Sequence, residues 1–68
     1  MWIIDHERGE IVNTDNVISL YKEDDMVKAF TQPRDILLGR YENNERAREV
    51  FNALVCALAN DTYIMPEK

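Results

Sequence analysis

The sequence predicts an α+β domain: an antiparallel β-meander of four to five short strands packed on one C-terminal amphipathic helix, with a short terminal strand. Three observations carry this reading. Short β-type segments separated by turn residues fill the first 41 positions. Ala47, Val50, Phe51, Leu54 and Leu58 then recur at helical spacing. Finally, 68 residues hold one domain only, 1–68, which buries roughly 60% of the surface its unfolded chain exposes.

The strands follow from alternation and turn chemistry. Trp2-Ile3-Ile4 leads into Asp5-His6-Glu7-Arg8-Gly9, where Gly9 can adopt the left-handed conformation that closes a hairpin, and the chain returns through Glu10-Ile11-Val12-Asn13. After a turn at Thr14-Asp15-Asn16, Val17 to Lys22 alternates as a strand and Glu23-Asp24-Asp25 turns. Met26 to Phe30 continues the meander until Gln32-Pro33-Arg34 breaks the ladder. Asp35 to Tyr41 is its last strand, and Gly39 within it marks a bulge or a close approach of the following helix.

Asn43 is the expected N-cap of a helix over 44–59, because its side-chain carbonyl can accept from a free first-turn amide. Its apolar stripe faces the sheet. Asn60 or Asp61 ends it, and Thr62-Tyr63-Ile64-Met65 is a terminal strand stopped by Pro66.

Composition narrows the function classes. The apolar fraction of 46%, with two Gly and two Pro, is that of a chain that folds. One cysteine, Cys56, makes no intramolecular disulfide, and the start lacks the basic and apolar segments of a secretory signal, so a reducing, cytoplasmic location is expected. No apolar run reaches the ~20 residues that span a bilayer, so no membrane partner is expected. Thirteen acidic against eight basic residues give a net charge of −5, spread over both halves, which argues against broad nucleic-acid binding.

The search for chemistry returns no catalytic, cofactor or metal constellation. His6 sits between Asp5 and Glu7 beside a turn, with no nucleophile or orienting group to serve. Cys56 lies near a helix C-terminus, where the dipole disfavours a thiolate. Glu23-Asp24-Asp25 lacks the alternate ligands and the Gly of a calcium loop. The expectation is therefore a non-enzyme with no cofactor.

Two surface features are candidate contacts. Ala53, Cys56 and Ala59 form a small-residue row on the outer helix face that would let a partner or a second copy approach, against the plain reading that alanine is a good helix former. Arg40, Arg46 and Arg48 are a candidate anion or nucleic-acid contact, against the reading that Glu42, Glu45 and Glu49 make this an ordinary mixed-charge surface. Ile11-Val12 and Ile36-Leu37-Leu38 are apolar on both strand faces. One helix covers only one face of a sheet, so these surplus positions call for a partner or a homodimer.

The Met1-Trp2-Ile3 opening, Leu38-Gly39-Arg40-Tyr41 running into Glu45-Arg46-Ala47, and the Tyr63-Ile64-Met65-Pro66 ending resemble a group of uncharacterised short proteins of low-GC Gram-positive bacteria and their phages and prophages. The group carries no established activity, so the resemblance implies no site residues. It implies a phage or mobile-element accessory protein. The function expected is a protein-interaction module that modulates a host or phage protein, with a nucleic-acid accessory role through the Arg patch as the alternative.

Overall fold

The computed structural model describes residues 1–32 and 34–67, and Pro33, expected to break the ladder, lies outside them. In chain order the elements are β1 (Trp2–Asp5), β2 (Glu10–Asn13), β3 (Ser19–Glu23), β4 (Met26–Phe30), β5 (Asp35–Arg40), α1 (Asn44–Cys56) and β6 (Thr62–Ile64). The α+β class read from the sequence is what the chain adopts.

The strands divide between two three-stranded sheets, ordered β2-β1-β6 and β3-β4-β5. Each hairpin is antiparallel, with Ile3 opposite Val12, Leu20 opposite Ala29, and Ala29 opposite Ile36. The meander breaks between β2 and β3 because Thr14–Asn16 form a 3-10 turn, capped by the Asn13 side chain, which accepts from the Asp15 N–H at 3.0 Å. This turn takes the chain out of the first sheet, so the strand expected from Val17 begins at Ser19.

Closure of the hairpins follows the sequence. Gly9 has φ +67, the region that glycine occupies without strain. Asp5, buried at 3% exposure, accepts from the Glu7 and Arg8 amides and from the Arg8 guanidinium, so its charge is fully partnered. Asp24 supplies a left-handed residue at φ 53 in the β3–β4 turn, where Lys22 Nζ donates to its carbonyl.

Asn43 caps α1 as expected, its Oδ1 accepting from the Arg46 N–H at 2.8 Å. The helix ends at Cys56 rather than 59. Ala57, Leu58 and Asn60 donate to carbonyls three residues back, a tightening that spends the last turn on reversing the chain. The reversal brings the Asp61 carbonyl to the Trp2 N–H at 2.8 Å and lays β6 beside β1. That pairing is parallel, with Ile4 opposite Ile64, the long α1 crossover making it reachable. In consequence Ala57 is buried and Leu58, expected on the inner stripe, is half exposed.

One core joins the two sheets and the helix. Ile3 and Val12 come from the first sheet, Val27, Ala29, Ile36 and Leu38 from the second, Ala47, Val50 and Leu54 from α1, and Tyr41 and Met65 from the segments beside them. Gly39 is a packing residue, but its neighbour is the Tyr41 ring and not the helix. A Cβ there would lie 2.5 Å from Tyr41 Oη and 2.8 Å from two ring carbons. The ladder shifts register between Val27 and Lys28 opposite it, which is the expected bulge.

Candidate interaction surface

Alternation along β1 and β2 turns Ile3, Asp5 and Val12 inward and therefore Trp2, Ile4 and Ile11 outward. The register sets Ile4 between Ile11 on β2 and Ile64 on β6, so an isoleucine row crosses all three strands. Trp2 stands two residues away on the same face. Trp2 is 49% exposed, Ile11 64% and Ile64 55%. Single exposed apolar side chains are ordinary; a row in register beside a tryptophan is a patch.

Next to this face a cleft of about 540 Å³ opens between β2 and the second sheet, with Ile11, Asn13, Asn16, Ile18, Thr31 and Ile36 among its walls. Arg34 Nη2 reaches Glu10 Oε2 at 3.2 Å, tying the β4–β5 connection to β2. The hydrogen-bond phase of the first sheet fixes which backbone groups enter the cleft. Thr14 N donates to Met1 O, while Trp2 N donates to Asp61 O and Met65 N to Ile4 O. Trp2 and Ile4 therefore direct their backbone groups to β6, and Met1 and Ile3 direct theirs to β2. By the alternation of antiparallel ladders, Ile11 and Asn13 point their N–H groups away from β1, at the free edge of β2.

The residues singled out in the sequence lie elsewhere. Ala53 and Cys56 are exposed on α1, and Cys56 is a free thiol. Ala59 is exposed too, but past the helix end, so the three do not form one helical stripe. Arg40 pairs with Asp25 at 3.7 Å, and Arg46 pairs with Glu49 at 3.3 Å and lies 5.9 Å from the Tyr41 ring centre. Arg48 is exposed on α1. Carboxylates thus interleave with this basic group, as its sequence suggested. His6 is exposed in the β1–β2 turn and borders a smaller hollow of about 210 Å³ with Ile4 and Ile11.

Two charges of the acidic Glu23-Asp24-Asp25 turn are met by the protein's own cations, Glu23 by Lys28 and Asp25 by Arg40. Lys28 Nζ lies 2.8 Å from Glu23 Oε1, holding the carboxyl below and the amine above their ordinary values. Burial pushes the Tyr41 hydroxyl up to about 12, and that hydroxyl donates to the Pro66 carbonyl at 2.8 Å, anchoring the segment after β6. Burial raises Tyr63 as well. Tyr21 is raised by loss of solvent and by its hydrogen bond to Asp35.

Among the described residues no group of three or more His, Cys, Asp or Glu is placed to hold a metal ion, and no helix is long and apolar enough to cross a membrane. Comparison with protein families, with curated proteins and with solved structures found no match.

The outward isoleucine row was partly legible in the sequence. Ile11 beside Val12 signalled an apolar residue on each face. What hid the rest is the parallel β1–β6 pairing, which adds Ile64 to the row and which no local pattern encodes. The cleft was equally hidden, because its walls come from four separate segments of the chain.

Proposed function

We propose that this chain is a non-enzymatic interaction module that binds a protein through the outer face of its first sheet. The observation that carries the reading is the Ile11-Ile4-Ile64 row with Trp2 beside it, an apolar surface continuous over three strands and, among the described residues, covered by no element of the fold. Such a surface costs solubility when it is left in water, and burial against a partner recovers roughly 25 cal/mol for each Å² of it. The resemblance to short proteins of low-GC Gram-positive bacteria and their phages supports a host or phage protein as the partner, and an accessory role that modulates it.

The nucleic-acid reading through Arg40, Arg46 and Arg48 draws less support, since Asp25 and Glu49 already engage two of these guanidinium groups.

The test compares tagged wild-type protein with Ile4→Asp and Ile64→Asp as baits in a Gram-positive lysate, after circular dichroism has shown that all three fold alike. A stoichiometric protein retained by the wild type and lost from both variants is the expected result. Equal retention by all three baits overturns the assignment of the face.

A further inference from the structure

We propose that the free edge of β2 (Glu10–Asn13) accepts an extended peptide strand, which lies in the cleft and adds a fourth strand to the first sheet. The inference rests on reading the chain as an interaction module and specifies the form of what it binds.

Three observations lead to this occupant. The N–H groups of Ile11 and Asn13 point out of the sheet at an edge that, among the described residues, no other strand pairs. Donors spaced two residues apart along a straight edge match the backbone of another strand and little else. The edge also has a second wall: Ile18, Thr31 and Ile36 stand across about 540 Å³ of open space. A strand placed there would turn alternate side chains towards those residues and towards the continuation of the isoleucine row.

Area and charge select the partner. Pairing β2 with β2 of a second copy would join two four-residue edges, about 14 Å long and one strand thick. That falls well short of the ~800 Å² per partner of a standard interface, and the cleft wall would hinder the rest of a second copy from closing in. A peptide needs no such area, because the cleft encloses it from two sides. The protein carries a net charge of −5 and Asp15 adjoins the Asn16 end of the cleft, while Glu10 in its wall is already paired with Arg34. A strand bearing Lys or Arg is therefore favoured over an acidic one.

The experiment follows backbone amide exchange by NMR in the ¹⁵N-labelled full chain. The probe is a pool of synthetic octapeptides with Val, Ile, Thr or Tyr at alternate positions and Lys at one end, with a Glu-ended pool for comparison. At millimolar peptide, exchange at Ile11 and Asn13 is expected to slow at least tenfold with the Lys pool and less with the Glu pool, while Val12 stays unchanged. Ile11→Pro removes one of the two donors but keeps an apolar side chain at an edge position that tolerates proline, and it should abolish the slowing at Asn13. Ile64→Asp lies on the far strand and should leave it intact.

Unchanged exchange at Ile11 and Asn13 with both pools overturns the proposal. So does equal slowing by the Glu pool, or slowing that tracks protein concentration without peptide, which would make a second copy the occupant. These outcomes are separate from those of the pull-down: bait capture that ignores Ile4 and Ile64 defeats the interaction face without touching the edge, and silent amides defeat the edge without touching the face.

Discussion

On the second sheet polar outward side chains answer one another: Lys28 holds Glu23, Tyr21 bonds to Asp35, and Arg40 reaches Asp25, with Phe30 beside them 36% exposed. On the first sheet the same outward positions hold Trp2, Ile4, Ile11 and Ile64, which have water or one another for company. Inward, both sheets look alike, each giving fully buried aliphatic residues to a shared core. Two three-stranded sheets thus solve the inner problem alike, apart from the buried Asp5 of the first, and the outer one differently. The outer face of the first sheet is the one whose apolar side chains stand exposed in register.

The largest effects should come from the inner faces and be equal on the two sheets. Ile3→Ala and Leu38→Ala each empty a site with almost no solvent exposure, and each should cost about 2–5 kcal/mol. A 68-residue domain has roughly 3–10 kcal/mol to lose. Urea titration followed by tryptophan fluorescence should show both midpoints falling by comparable amounts. A loss at Leu38 alone would mean that the first sheet is a passenger on the second, and the comparison would fail.

Gly39→Ala comes next and probes the second sheet by itself. Its new Cβ would enter the space of the Tyr41 ring, and a ring held by the Pro66 carbonyl cannot retreat freely. We expect about 1–3 kcal/mol of destabilisation, with hydrogen exchange at Met65 accelerating because Tyr41 loses its hold on the segment after β6. Unchanged stability would show that the ring has room to move.

Local signals in the sequence reached most of the fold and the lesser part of the surface. Asn43 at its cap, Gly9 at its turn and the 47-50-54 stripe are decided by neighbours within a few residues, and each stands where expected. Leu58 departs from the stripe because the chain must turn back to give Asp61 to Trp2, a demand made from 59 residues away. The same long-range pairing carries Ile64 into the outer row. Periodicity reads a residue's face within its own element, and which elements share a face is a tertiary fact.

Alkaline pH should separate the core from both outer faces. Tyr41 is raised to about 12 from an ordinary 10, so between those values the unfolded chain releases a proton that the folded chain keeps. Stability from this group is full below pH 10 and is lost as pH rises towards 12. Unfolding midpoints measured from pH 8 to 12 should fall across that window, and the fall should be shallower in Tyr41→Phe. That variant also starts lower by about 1 kcal/mol because it lacks the bond to Pro66. An identical slope would assign the alkaline loss to Tyr63 and Tyr21, the other tyrosines whose hydroxyls are raised by loss of solvent.

The smallest effect is the one that bears most directly on the difference between the sheets. Ile64→Thr keeps a β-branched residue on β6 and removes apolar surface that the fold does not bury. Its stability should stay within about 0.5 kcal/mol of the wild type. On the second sheet Glu23→Gln should shift the melting temperature slightly at low salt and not at high salt, because it breaks an exposed ion pair. The outer face of the second sheet thus makes a small, salt-dependent contribution to the fold, and that of the first contributes next to nothing. If Ile64→Thr instead unfolds the protein, the isoleucine row is part of the structure's own support, and its exposure ceases to argue for a partner.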